Sequence, residues 1–240
     1  MTTLLWGVLP YVTLALLVAG LVWRYRYDKY GWTTRSSQIY ESTLLNVASN
    51  AFHYGILFVL AGHIVGLFIP MSWTDSLGIS EHTYHLFSLY GGTAAGVLTV
   101  GGIALLIYRR RTKAPVFRAT TANDKLMYLV LLAAIVLGMT AKLTHASGDG
   151  YNYRESIGPW ARSLFRLRPD LDLMRGVPVL YQIHAIIGMT LIALIPYTRL
   201  VHMFSAPVQY LFRPYVVYRS RDTGQLGPRR ERRGWERTDA

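Results

Sequence analysis

The sequence predicts an all-α fold: a polytopic membrane protein of five transmembrane helices forming a bundle. Three observations predict it. Apolar residues make up 52 % of the 240 residues and charged residues only 16 %, against about 25 % charged in soluble domains. The apolar residues fall into five long blocks, each near the ~20 residues that span a bilayer. Basic residues are concentrated in the connections between blocks, as in membrane proteins whose cytoplasmic loops carry Lys and Arg.

Leu4 to Trp23 is the first block. It lacks a basic n-region and is too long for an h-region, so it reads as a transmembrane helix and not a signal peptide. Its N-terminus is expected outside, and Pro10 is a possible kink. Arg24 to Val47 carries Arg24, Arg26, Lys29 and Arg35 and is expected in the cytoplasm. The aromatic run Trp23, Tyr25, Tyr27, Tyr30 and Trp32 suits the membrane interface.

The second block, Ala48 to Pro70, contains no Asp, Glu, Lys or Arg but two histidines, His53 and His63. Met71 to His85 has no Lys or Arg and is expected outside. Leu86 to Tyr108 is the third block, with Gly91, Gly92, Gly96, Gly101 and Gly102. These suit close approach of a helix or a flat cofactor, or ordinary small-residue packing.

Arg109 to Lys125 holds six basic residues and is expected inside. The fourth block is Leu126 to Leu143. Thr144 to Pro178 follows as an outer connection, with a short interfacial helix expected over Ile157 to Leu167. Val179 to Phe204 is the fifth block and contains His184 and His202. It is the longest, so tilting is expected, with a kink at Pro196 between the histidines. Residues 1–215 thus read as the membrane domain and 216–240 as a basic cytoplasmic tail.

The four intramembrane histidines carry the chemistry, because ionisable groups at membrane depth are costly and mark function. His53 and His63 lie ten residues apart, or roughly 15 Å along a helix. In an antiparallel pair of helices, His63 and His184 share one depth and His53 and His202 the other. A straight helix would separate His184 from His202 by roughly 27 Å, a mismatch that tilt and the kink must absorb. Two bis-histidine pairs at two depths suit two haems, each iron taking an imidazole on both faces. Filled axial positions favour electron transfer over oxygen chemistry. The plainer reading is four histidines that hydrogen-bond across the bundle. Four ligands split over two depths cannot close one tetrahedral zinc site.

The chain has no cysteine. That excludes thiolate ligation, cysteine-held iron–sulfur clusters and covalent haem attachment within it, leaving b-type haem. The net charge of +12 reflects the membrane charge bias and implies no nucleic acid. The apolar blocks hold no Asp or Glu, which argues against a proton relay through them. No phosphate-binding loop or catalytic triad is evident.

Arg199 shares a helix face with His202 and could pair with a haem propionate, or extend to the interface. Arg109 is a further candidate for that haem, with a cytoplasmic anchor as its other reading. His82 and His85 sit near the outer pair, where they could accept protons from a quinol, or be loop histidines without a role.

The stretches ASNAFHYGILFVLAGH, RATT (Arg118 to Thr121) and HAIIGMTLIALIPYTRLVHMFSAPVQYL closely resemble the gamma subunit of respiratory nitrate reductase. The likeness covers roughly Pro10 to Tyr215. It implies a dihaem cytochrome b that oxidises membrane quinol, with a cytoplasmic iron–sulfur subunit and a molybdenum catalytic subunit as partners. It implies His63 and His184 as ligands of the outer haem, His53 and His202 as ligands of the inner haem, and quinol beside Gly62 and His63. Some members carry a lysine before the third span, where this sequence has Thr83; His82 or His85 could take its place. The same module could serve another terminal reductase, for example in sulfur metabolism, and a scaffold or transporter without redox chemistry is the reading from a different class.

Overall fold

The computed structural model describes residues 1–32, 36–144 and 151–205. Among them there are helices and no strands. Five helices among the described residues are long and apolar enough to cross a membrane. A π-helical turn, Thr3–Val8, leads into α1, Leu9–Tyr27. Then come α2 (Thr43–Phe68), a short α3 (Met71–Ser76), α4 (Glu81–Thr112), α5 (Ala114–Arg118) and α6 (Ala122–Thr144). A short helix α7 (Ile157–Phe165), within the stretch expected to be helical, and the last span α8 (Val179–Leu194) complete the order. The proposed tail, 216–240, and His145 lie outside the described residues.

Local chemistry sets the helix starts. Glu41 accepts from the Leu44 and Leu45 amides at 2.6 and 3.3 Å and caps α2. Extended Ser80 caps α4, its hydroxyl accepting from the Thr83 amide at 3.2 Å, and Glu81 meets the positive end of the helix. Helix α4 therefore begins before the apolar block does. His82 and His85 lie on its first two turns and not in a loop, which corrects the expected boundary. At α6, Thr121 and Asp124 form a reciprocal capping box at 3.0 and 3.2 Å. The long helices thus take in Glu81 and Asp124, acidic residues that the apolar blocks alone do not contain.

Helices α2 and α4 pack backbone to backbone. A Cβ on Gly55 would lie 2.6 Å from the Thr99 amide nitrogen, and one on Gly102 2.4 Å from the Phe52 amide nitrogen. Two of the five α4 glycines, Gly91 and Gly101, face open space instead. One apolar core gathers Trp6, Trp160, Met174, Val177 and Met189 at the end where α2 finishes. Trp6 and Trp160 meet edge to face at 5.7 Å, and the Trp160 indole donates to the Trp6 carbonyl. A second core at the opposite end holds Ile103, Met127, Leu131, Ile195 and Leu200. Large apolar side chains such as Leu16, Val18, Leu57, Phe58, Val97 and Leu129 stay exposed along the helices, the surface a lipid environment would cover.

The last span, expected to run to Phe204 with a kink at Pro196, does not kink there but ends as an α-helix. Helix α8 stops at Leu194, a 3-10 turn covers Ile195–Tyr197, Thr198 is extended, and a second 3-10 segment runs Arg199–Ser205. Pro196 supplies no amide hydrogen, so the helical ladder cannot continue through it. The break is held from outside. Gly20 of α1 leaves room for the Pro196 ring, 2.7 Å from where a Cβ would stand. Buried Arg24 donates to the Pro196 carbonyl at 2.6 Å.

Candidate metal centre: two facing histidine pairs

His63 on α2 faces His184 on α8, with ring centroids 5.9 Å apart and planes inclined by 37°. At the other end His53 faces His202, with centroids 6.1 Å apart and planes at 63°. The redirected chain after Thr198 is what returns His202 to the level of His53; the roughly 27 Å of a straight helix does not apply. With metal–nitrogen bonds of about 2 Å on each side and the ring radius added, two axial imidazoles stand roughly 6 Å apart. Both pairs have that spacing.

Hydrogen bonds orient the rings. His53 Nδ1 lies 2.7 Å from the Ser49 carbonyl, His63 Nδ1 2.8 Å from the Val59 carbonyl, and His202 Nδ1 2.6 Å from the Arg199 carbonyl. A carbonyl only accepts, so Nδ1 carries the proton in each. In a neutral ring, Nε2 then bears the lone pair and is the atom free to ligate a metal. His184 Nδ1 is buried and makes no well-formed hydrogen bond. His63 and His53 are exposed. No group of three or more His, Asp or Glu suited to a metal gathers among the described residues. The four intramembrane histidines stand instead as two facing pairs.

Glycine shapes the surroundings. A Cβ on Gly62, beside His63, would meet nothing within 4 Å. Gly138 of α6 differs: a Cβ there would stand 2.8 Å from His184 Cε1, so only glycine leaves that imidazole where it is. Sequence reasoning passed over Gly138, although a glycine inside a helix costs about 1 kcal/mol and so hints at a packing reason.

The other predicted residues fall as follows. Arg199 turns Nε and Nη2 to Asp124 Oδ1, each at 2.8 Å, while Nη1 has no hydrogen-bond partner among the described residues. Arg109 is fully buried. It donates to the Glu41 carboxylate, the Ser37 hydroxyl and the Ser37 and Glu41 carbonyls at 2.5–2.9 Å. Its donors thus hold the connection before α2. His82 and His85 are exposed, and no hydrogen bond or ring contact joins them to His63 or His184 among the described residues. Near them Arg154 pairs with Glu81 at 2.7 Å, bonds Thr74 at 3.1 Å and lies over the Tyr84 ring at 3.8 Å.

Known proteins resemble this sequence. Residues 2–221 match the family described as nitrate reductase gamma subunit. The chain is 57 % identical over 237 residues to nitrate reductase-like protein NarX of Mycobacterium tuberculosis, covering 98 % of this chain and 36 % of that protein; it thus spans about a third of that relative's length. It is 40 % identical to the nitrate reductase gamma chain of Bacillus subtilis, covering 91 % of this chain and 98 % of the relative. With the respiratory nitrate reductase 1 gamma chain of Escherichia coli it shares 35 % identity, over 88 % of this chain and 94 % of the relative. With its five membrane-length helices, the chain belongs to the nitrate reductase gamma subunit family and is a multi-pass membrane protein.

Proposed function

We propose that this chain is the quinol-oxidising membrane subunit of a respiratory nitrate reductase and holds two b-type haems, one above the other. His63 and His184 would ligate the outer haem, and His53 and His202 the inner. When bound, the two haems would carry electrons one at a time across the bilayer. The observation that carries this reading is the pair of facing imidazole couples at two levels, each with its centroids about 6 Å apart.

Each remaining role belongs to a side chain. Backbone carbonyls hold three of the four imidazoles with Nε2 directed away from its own helix's hydrogen bond. Arg109 spends its donors on Ser37 and Glu41, so we assign a propionate of the inner haem to Nη1 of Arg199. Gly62 gives a quinol ring open access beside His63. His82 and His85, exposed at the start of α4, are the groups we assign to receive the two quinol protons at the outer face. Six basic residues between Arg109 and Lys125 favour a cytoplasmic position for that end, with the N-terminus outside and the C-terminus inside. There the chain would pass electrons to a cytoplasmic iron–sulfur subunit, and a molybdenum subunit would reduce nitrate.

The test is a haem count on the purified protein by pyridine haemochrome, with histidine variants. Two haems per chain are expected. His63→Ala and His184→Ala should remove one spectral component, and His53→Ala and His202→Ala the other. Loss of the same component alone by His63→Ala and His202→Ala would overturn the pairing. Co-purification of molybdenum reports on the terminal enzyme.

A further inference from the structure

The segment that carries His202 is not held by a helix of its own. It follows the break at Pro196–Thr198, and its 3-10 turns make few strong local bonds. Its fixed points come from the N-terminus of α6. The Asn123 amide donates to the Tyr197 carbonyl at 2.7 Å. Asp124 Oδ1 accepts from Arg199 Nε at 2.8 Å, Nη2 stands 2.8 Å from the same oxygen as an ion pair, and the two side chains are 4 % and 12 % exposed. The other Asp124 oxygen is fixed by the Thr121 amide at 3.0 Å, so the carboxylate cannot swing. Residue 199 is thereby pinned, and its carbonyl accepts from His202 Nδ1 at 2.6 Å. A continuous chain of contacts runs Thr121, Asp124, Arg199, His202.

We propose that Asp124 is a positioning residue for the inner axial ligand, acting through Arg199 to set the orientation of the His202 imidazole. This rests on the haem-ligand reading above. A ligand whose other ring nitrogen is hydrogen-bonded has its ring plane and basicity set by that bond. Here the acceptor is a carbonyl on irregular backbone, so its place depends on the side chain of the same residue. Within the buried pair Asp124 supplies a fixed negative charge beside the site. Removing that charge makes the surroundings of His202 more positive. That favours the reduced, less positive form of a metal centre at His202.

The test compares electron paramagnetic resonance and redox titration of the purified, haem-loaded protein for wild type, Asp124→Asn, Asp124→Glu and Arg199→Lys. Asp124→Asn keeps an acceptor for the Thr121 amide and so keeps the cap. It is expected to shift the low-spin signal of the inner component alone, and to raise its reduced fraction several-fold at a fixed ambient potential. The outer component, ligated by His63 and His184, is expected to stay unchanged. Arg199→Lys should shift the same signal, because an ammonium cannot reproduce the two-nitrogen contact. Asp124→Glu should restore the wild-type signal in part. Unchanged inner signals in both Asp124→Asn and Arg199→Lys overturn the inference. So does an Asp124→Asn protein that loses both haems while Arg199→Lys keeps a wild-type spectrum. A wild-type protein with fewer than two haems overturns the ligand reading itself, and is told apart by the haem count before any variant is made.

Discussion

Gly138→Ala should weaken the outer cofactor site without harming the fold. The added Cβ would stand 2.8 Å from His184 Cε1 and 3.4 Å from each ring nitrogen. Carbon atoms prefer separations of about 3.5–4.0 Å, so the ring must retreat by roughly 0.7–1.2 Å. Over-packing of this kind costs about 1–3 kcal/mol, against about 1 kcal/mol gained by replacing glycine with alanine in a helix. Which term wins depends on whether the imidazole can move. Without a metal it is the free end of a side chain, so the helix gain offsets the clash and thermal stability should hold. With a metal its position is fixed by the 5.9 Å couple with His63, and the clash falls on ligation. A cost of about 1–3 kcal/mol corresponds to roughly 5- to 150-fold weaker binding. Pyridine haemochrome and low-temperature optical spectra of washed protein read this out: one component depleted, the other intact. Gly101→Ala is the control, since its Cβ meets nothing within 4 Å. Two full haems and an unshifted spectrum in Gly138→Ala would refute the reasoning.

Further outcomes follow from other residues. At Gly62 an added Cβ meets nothing within 4 Å, so Gly62→Val enlarges a side chain into open space. It should raise the quinol KM roughly tenfold or abolish turnover while both haems remain; unchanged kinetics would place the quinol elsewhere. Replacing His82 and His85 together should lower quinol oxidation near neutral pH and leave dithionite-driven nitrate reduction intact, and equal loss in both assays would deny them a proton-accepting role. The Leu44 amide and then Arg109 hold the Glu41 carboxyl below its ordinary value of 4.5. Its stabilising contribution is therefore present above that pH and lost as pH falls through the lowered value. Thermal melts on acidification should show a smaller loss in Glu41→Gln than in wild type, and identical slopes would contradict this. Reporter fusions at Ala240 and after Ser76 should report opposite sides of the membrane, with the Ala240 fusion cytoplasmic; the same side for both would break the five-span topology.

Much of this was legible in the residues, and the reason is physical. A bilayer demands long apolar blocks, so five spans stand out in composition alone. Histidine inside such a block is rare enough that His53, His63, His184 and His202 stand out as well. A short helix was expected over Ile157 to Leu167, and one runs Ile157–Phe165. The start of α4 at Glu81 was written in Ser80 and Glu81, a capping signal that the hydropathy boundary at Leu86 obscured. The break after α8 could not be read to the residue. Pro196 announces a disturbance, but whether a helix kinks or ends there depends on Gly20 and Arg24, far away in the chain. The partners of Arg109 and Arg199 were hidden for the same reason. An arginine near a membrane end can reach a propionate, the interface or a carboxylate, and only the tertiary structure puts Glu41 beside one and Asp124 beside the other.

The break after Leu194 also bears on biogenesis. His202 reaches its place through Gly20 and Arg24 of the first span, Asn123 and Asp124 of the fourth, and His53 of the second. All are made before it. None of these contacts can form while the last span is still leaving the ribosome. The inner couple is therefore completed after translation has passed residue 202 and the earlier spans have associated. His184 is made 18 residues sooner, on a regular helix, and can meet His63 first. Maturation would then run from the outer couple to the inner one, and a chain stalled before the break would hold only one of the two histidine couples.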